Sequence, residues 1–316
     1  MDAAGIAQTP AFALAFHNSR FGGIVRENHD MGDWRTGTVL VAGASSQIGV
    51  FLLPELARQD ARVLALSRTP QPATTGVTWL QGALPQPPVE AEDAESICSF
   101  APLDALATWI AAGGAPRLAR VVATSSMSAE SKQASPVAAE RAVSLRLRTG
   151  EAALARACGE RGVAWMILRP TLIYGAARDR SLTPLARRAV RWRVFGLPAG
   201  SGLRQPVHAA DVAAAALRAL DGDAAGRVVA IGGGERLPAG EMFERVRASL
   251  PVRTCPLPIP APMLHLAARL LPAWRGPLLR LEQDLVADNT ELERLLGVRP
   301  RGFAPDRDCW DGPIPR

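Results

Sequence analysis

Residues 38–49, Thr-Val-Leu-Val-Ala-Gly-Ala-Ser-Ser-Gln-Ile-Gly, constrain the fold more than any other stretch of the chain. The apolar run Val39–Ala42 stops at Gly43, passes through small residues and resumes at Ile48-Gly49. A buried parallel strand turning directly into a helix has this layout. The helix start so created offers free backbone N–H groups and the positive end of the helix dipole to a phosphate. Gly43 and Gly49 are six residues apart, the spacing of a dinucleotide-binding turn, with Ser46 in the slot of the middle glycine. A serine fits there where the backbone keeps a negative φ, and its hydroxyl can then donate to a pyrophosphate; a slot needing positive φ would exclude it.

Downstream, short apolar segments alternate with helical ones. Arg62–Ser67, Val77–Gln81, Ser96–Phe100, Arg120–Ser125 and Trp165–Leu168 read as strands. Residues 48–58, with Pro54 inside, Leu103–Ala112 and Glu140–Arg161 read as helices, the last closed by Gly162. This alternation predicts an α/β fold, a doubly wound parallel sheet of the Rossmann type covered on both faces. Residues 1–36 are rich in polar and helix-breaking residues and read as a flexible N-terminal extension. Residues 37–175 form the expected dinucleotide-binding core, to which later strands return. Residues 176–316, with Arg-rich helical patterns and Pro-rich connections, form a smaller C-terminal region expected to bind substrate over the crevice at the strand ends.

Composition narrows the function classes. A net charge of +6 over 316 residues suits an acidic ligand such as a nucleotide. No basic block interleaved with aromatics appears, which argues against nucleic acid. Cys98, Cys158, Cys255 and Cys309 form no CxxC pair, which argues against a zinc site or a disulfide framework and fits a reducing compartment. No apolar run reaches the roughly 18–20 residues of a membrane span, and the first residues lack the basic start of a signal peptide. The cytoplasm is the expected location. The amphipathic, basic stretch 258–281 fits either core packing in the C-terminal region or a peripheral contact with a membrane or partner.

Four ordered motifs resemble those of the extended short-chain dehydrogenase/reductases, the NAD-dependent epimerase/dehydratase family. They are the loop Val41–Gly49, the segment Leu168-Arg169-Pro170-Thr171-Leu172-Ile173-Tyr174-Gly175, the segment Arg204–Val212, and Leu296-Gly297-Val298-Arg299-Pro300-Arg301. The resemblance spans about residues 37–305 and implies a cofactor site at Gly43, Ser45, Ser46, Gln47, Ile48 and Gly49. It extends that site to Ser67, Arg68 and Thr69, to Phe100, Ala101 and Pro102, to Thr124, and to Pro170, Thr171, Leu172 and Ile173. Ser67-Arg68-Thr69 carries no acid for a ribose 2′-OH, and a guanidinium with two hydroxyls suits a 2′-phosphate. NADP is therefore the expected cofactor, with NAD as the alternative. Ala83 stands where the family usually has an Asp for the adenine amino group. Ser126 is the implied catalytic residue and substrate contact, and Tyr174, Arg204 and His208 are implied substrate-side residues, Arg204 facing a phosphate.

One expected element is missing. The family's long helix carries a Tyr and a Lys four residues apart, the Lys lowering the tyrosine pKa for proton exchange. Those slots hold Val143 and Leu147, and Tyr174 is the only tyrosine of the chain. Lys132 lies in a Ser-rich stretch and reads as solvated, and Arg146 and Arg148 read as a solvated helix face. Two functions follow: an atypical NAD(P)-dependent oxidoreductase or epimerase acting on a nucleotide sugar or related acidic metabolite, or a catalytically silent NADP-binding sensor or assembly protein. No metal is expected in either.

Overall fold

A computed structural model describes residues 33–222 and 226–311, without the side chains of residues 272–274. The flexible extension expected from sequence lies outside the described residues as far as residue 32. Residues 33–36 form a turn whose Trp34 is buried in the core and donates from Nε1 to Asp221 at 2.7 Å.

Strands β1 (Thr38–Ala42), β2 (Arg62–Ser67), β3 (Val77–Gln81), β4 (Ser96–Ser99), β5 (Arg120–Thr124) and β6 (Ala164–Pro170) follow the apolar segments of the sequence. Four two- or five-residue strands come next: β7 (Ile173–Tyr174), β8 (Val194–Pro198), β9 (Leu203–Arg204) and β10 (Val207–His208). The chain then returns to the main sheet as β11 (Arg227–Ile231). The sheet has seven strands in the order β11-β6-β5-β4-β1-β2-β3, each pair parallel. The chain runs outward from β1 through β2 and β3, then restarts on the other side of β1 with β4. This reversal opens a crevice at the carboxyl ends of β1 and β4, where α/β sheets place ligands.

Alternation along β1 decides what covers each face. Val39 and Val41 point to one side, where they pack with Leu52 and Leu56 of α1 (Gly49–Leu56) and with Val212 and Ala216 of a later helix. Leu40 and Ala42 point to the other, against Leu106 and Ile110 of α2 (Leu103–Ala111). After the short helix α3 (Ser128–Ser131), the long helix α4 (Ala138–Glu160) joins that second layer through Leu154 and Ala157. Both faces are thus sealed, as near-continuous apolar parallel strands require.

The C-terminal part adds α5 (Leu182–Trp192), α6 (Ala209–Asp221) and α7 (Ala239–Ala248) around small strand pairs. Of these, α6 covers the first face of the sheet. A separate core gathers Tyr174, Phe195, Phe303 and Trp310. The stretch 258–281 departs from uniform core packing. Leu264, Ala268 and Leu281 are buried, while Met263, Leu266, Leu270 and Leu271 stand exposed on and after the helix Ala261–Leu270. No helix among the described residues is long and apolar enough to cross a membrane. All four cysteines are free, with Cys98, Cys158 and Cys309 buried.

One ion pair fastens the long helix to the sheet. Glu151 of α4 is 5% exposed, and Arg169 of β6 grips it with Nε and Nη2, the Nε bond being 2.8 Å. The carboxylate hydrogen bonds hold the Arg169 guanidinium above its usual pKa. Breaking a buried pair costs about 3–5 kcal/mol, and without Glu151 the Arg169 guanidinium keeps only the exposed Glu130 as a carboxylate partner, so the lower end of that range applies. Glu151→Ala is expected to lower stability by about 3 kcal/mol in urea unfolding, and a loss below about 1 kcal/mol would show that the pair is not a fastening.

Candidate active site

The glycine-rich turn is built by close packing. Gly43 has φ +71°, and a Cβ there would lie 3.0 Å from the Phe100 carbonyl carbon. At Gly49 a Cβ would lie 2.0 Å from the Ala44 carbonyl oxygen, so a side chain would force the strand and the helix apart. Ser46 is not among the residues with positive φ, so the missing middle glycine costs no backbone strain. Its hydroxyl accepts from the Gly49 N–H at 3.3 Å, and its own N–H donates to Gly43 at 2.9 Å. The serine therefore closes the turn rather than leaving it slack.

The flanking walls come from neighbouring strands. Phe100 donates its N–H to Ala42 at 2.8 Å, which lays the Phe100–Ala101 backbone beside Gly43, with Pro102 beyond it. Ser67 is buried, and its hydroxyl is bonded to the Thr69 carbonyl at 2.8 Å and stands 3.3 Å from Ser45 Oγ. Arg68 and Thr69 are exposed at the end of β2. Thr124 is bonded weakly to Ser99 at 3.5 Å at the end of β5. Ile48 is buried against the sheet and serves the core.

Beside this turn lies a cleft of about 420 Å³. Gln47, Ser125 and Ser126 form one side, and Pro170, Thr171, Leu172 and Ile173 another. Gln47 Oε1 and Ser125 Oγ are buried and have no hydrogen-bond partner within the chain, an unusual state for buried polar atoms. Ser126 Oγ accepts from Ser128 N at 3.1 Å, which leaves its hydroxyl hydrogen free to donate. A cofactor cradle that no Cβ could share, with orphaned polar atoms at its edge, fits a dinucleotide.

The substrate-side residues divide. Arg204 reaches the cleft wall but is 5% exposed, and its terminal nitrogens donate to the carbonyls of Leu203, Gln283 and Arg280 at 2.9, 2.7 and 2.5 Å. It stitches the chain around the cleft, a correction to the expectation of a free phosphate ligand. Burial pushes its pKa down. Tyr174 is also corrected: at 1% exposure it lies in the C-terminal core, its ring 4.9 Å from Phe303 and 5.1 Å from His208, centroid to centroid. Burial raises its pKa well above the usual value, so it stays a phenol. His208 accepts from Ala210 N at 3.2 Å through Nδ1, capping α6, and its ring packs on Gly175, where a Cβ would meet Nε2 at 2.2 Å. Burial first, then Arg301, lowers its pKa, so it caps as the neutral ring. Its place is structural, outside the cleft.

Three residues at the site escaped the sequence. Arg178 donates to the Ser45 carbonyl at 2.5 Å, tying the segment after β7 to the turn. Arg280 lines the cleft, is paired with Glu140, and has its pKa lowered by burial. Lys132, expected to be solvated, is half-buried and also lines the cleft. A signal for Lys132 was present, since it is the only lysine among 36 Lys and Arg residues. Arg146 and Arg148 lie on the exposed face of α4 as expected.

Residues 104–232 match the model of the NAD dependent epimerase/dehydratase family. That segment is similar to the family's model over 129 of the chain's 316 residues. The match begins after the glycine-rich turn, so the turn rests on its own geometry. No curated relative matches the sequence. Among solved structures, MoeE5 in complex with UDP-glucuronic acid and NAD is similar at TM-score 0.65 and 20% identity, over 87% of this chain and 96% of that one. UDP-glucuronic acid 4-epimerase from Bacillus cereus in complex with NAD is similar at TM-score 0.66 and 15% identity, over 86% and 98%. UDP-N-acetylglucosamine 4-epimerase from Methanobrevibacter ruminantium M1, in complex with UDP-N-acetylmuramic acid, is similar at TM-score 0.66 and 15% identity, over 87% and 97%. At these identities the likeness shows the fold alone.

Gly49→Ala tests the turn directly. Overpacking against a backbone atom costs about 1–3 kcal/mol, and urea unfolding should register a loss in that range. Unchanged stability would mean that the strand and helix are not in the contact described.

Proposed function

We propose that the chain is an NAD(P)-dependent oxidoreductase or epimerase acting on a nucleotide sugar, in the cytoplasm. The observation that carries this reading is the convergence of the turn, Ser126 and the Pro170–Ile173 strand end on one cleft that also holds Lys132, Arg180 and Arg280. A basic cleft attracts a diphosphate; of the three solved structures above, two are complexes with a UDP sugar, two are complexes with NAD, and one of the NAD complexes is a UDP-glucuronic acid 4-epimerase.

The amide groups of Ser45–Gly49 would hold the cofactor's pyrophosphate at the start of α1. Phe100, Ala101 and Pro102 would flank the adenosine half, and Thr124 with Pro170–Ile173 the nicotinamide half. When bound, the nicotinamide accepts or returns a hydride. Ser126 would hold the substrate oxygen with its free hydroxyl hydrogen. Arg68, exposed and bearing no partner among the described residues, selects the 2′-phosphate of NADP.

One observation favours the second function, a silent NADP-binding sensor or assembly protein. Along α4 the slots of the usual proton-transfer pair hold Val143, which is 42% exposed, and Leu147. Neither carries a titratable proton.

Titration of the protein with NADPH and NADH tests the cofactor assignment. NADPH is expected to bind more tightly, and Arg68→Glu to weaken NADPH roughly 10-fold or more, the worth of a charge-assisted hydrogen bond, while leaving NADH unchanged. NADH binding as tightly as NADPH in the wild type would overturn the preference. Hydride transfer with UDP-glucose or UDP-glucuronic acid, lost in Ser126→Ala, would decide for an enzyme over a sensor.

A further inference from the structure

The cleft and the elements around it contain several titratable groups, and nearly all of them are already occupied. Asp179 accepts from the N–H groups of Ser181, Leu182 and Thr183 and from the Thr183 hydroxyl, closing the start of α5. Asp284 accepts from Leu203 N at 2.7 Å. Glu130 of α3 pairs with Arg169, and Glu140 of α4 pairs with Arg280 and accepts from Ser135. Arg204 is held by three carbonyls. His208 caps α6 and Tyr174 is buried in another core. Arg180 is a guanidinium, which does not give up its proton in this pH range. Lys132 is what remains: its ammonium has no carboxylate partner among the described residues.

Its position is built from the same turn that carries Ser126. Ser125 and Met127 donate their N–H groups to Leu168 and Pro170 at 2.8 and 2.9 Å, which locks the end of β5 to β6. Ser126 Oγ then receives Ser128 N, the chain winds through α3, and Lys132 closes that helix with its N–H on Ser128. Ser144 of α4 pins the turn by donating to the Ala129 carbonyl at 2.5 Å. Ser126 and Lys132 thus leave a single rigid turn and line the same cleft.

We propose that Lys132 is the proton donor and acceptor of this active site, standing in for the Tyr/Lys pair that α4 lacks. The proposal rests on the dinucleotide and nucleotide-sugar reading above. In the reducing direction a C–H bond forms at the carbonyl carbon of a keto sugar, with a reduced nicotinamide nucleotide as the hydride source. The carbonyl π pair moves onto oxygen. One N–H bond of the Lys132 ammonium breaks as the new O–H bond forms, leaving the neutral amine. Oxidation of the alcohol runs the same transfers backward. Ser126 holds the oxygen on which the proton lands.

The electrostatics favour this exchange. Burial first, and Arg280 second, push the Lys132 amine below its ordinary value, making the ammonium a stronger acid than a solvated lysine. No neighbouring carboxylate offsets them. A lysine can exchange its proton where an arginine cannot, and this chain uses arginine at every other such position.

Because Lys132 is the only lysine, an amine-directed reagent reads it without interference from other side chains. Acetic anhydride labelling of the full chain across pH, followed by peptide mass spectrometry, should give a midpoint below 10.5 at Lys132. A midpoint at or above that value overturns the proposal, whether or not a cofactor binds. Steady-state kinetics of the wild type and of Lys132→Arg and Lys132→Met, with UDP-glucose and UDP-glucuronic acid as probes, form the second arm. General acid–base catalysis contributes roughly 100-fold or more, so kcat should fall by at least that factor in both variants while KM and NADPH binding hold. Retained kcat in Lys132→Arg would show that only a positive charge is needed there, and would overturn the proposal. A wild type that binds NADPH without turning over either probe overturns it in favour of the sensor. Absence of NADPH and NADH binding overturns the dinucleotide reading itself.

Discussion

The contact between Gly49 and the Ala44 carbonyl is the constraint on which the site depends. A Cβ at Gly49 would stand 2.0 Å from that oxygen, so β1 can pass into α1 within a few residues only because the position has no side chain. The short passage leaves the amides of the turn facing the crevice instead of being consumed in a longer loop. Sheet order does the rest, since β4 and β2 flank β1 and carry Phe100 and Ser67 to the same edge. Ser46 shows how the turn tolerates its departure from the glycine pattern: it replaces backbone freedom with a hydroxyl that takes the Gly49 N–H.

A second layer of structure closes the far side of the cleft through buried polar side chains. Arg204 binds three carbonyls, and Gln205 bridges Gly233 and Ala287, each bond being 2.7 Å. Asp211 at the start of α6 is gripped by Arg301 through its Nε and backbone N–H, at 2.9 and 3.0 Å. Segments distant in the chain therefore meet at fixed positions. A row of rings, from Phe51 through His208 and Tyr174 to Phe303, spans the same junction. The residues of the Arg204–Val212 and Leu296–Arg301 motifs act as fasteners of this junction.

What was legible in the sequence followed from local physics. Strands β1 to β6 and helices α2 and α4 were visible because apolar runs and capping residues are local signals. The glycine-rich turn between β1 and α1 was visible for the same reason. The roles of Arg204, Tyr174 and His208 were not, because a motif carries residue identity without saying which partner consumes each polar atom. The half-burial of Lys132 is not legible in the sequence because the cleft it lines also takes in Arg280, 148 positions away in the chain by numbering, and no periodicity links them. The exposed leucines near residue 270 depart from the core-packing alternative for the stretch 258–281 for a related reason, as packing partners are set by tertiary contacts.

The central claim is that one cleft joins a dinucleotide cradle to a proton-exchanging lysine. A crystal structure of the complex with NADPH and UDP-glucuronic acid tests it most directly. The account predicts the pyrophosphate on the Ser45–Gly49 amides, nicotinamide C4 beside Pro170–Ile173, and Ser126 Oγ and Lys132 Nζ both within hydrogen-bonding reach of the sugar oxygen at the reacting carbon. A nicotinamide directed away from that wall, or a Lys132 amine turned out to solvent with the sugar in place, would contradict it.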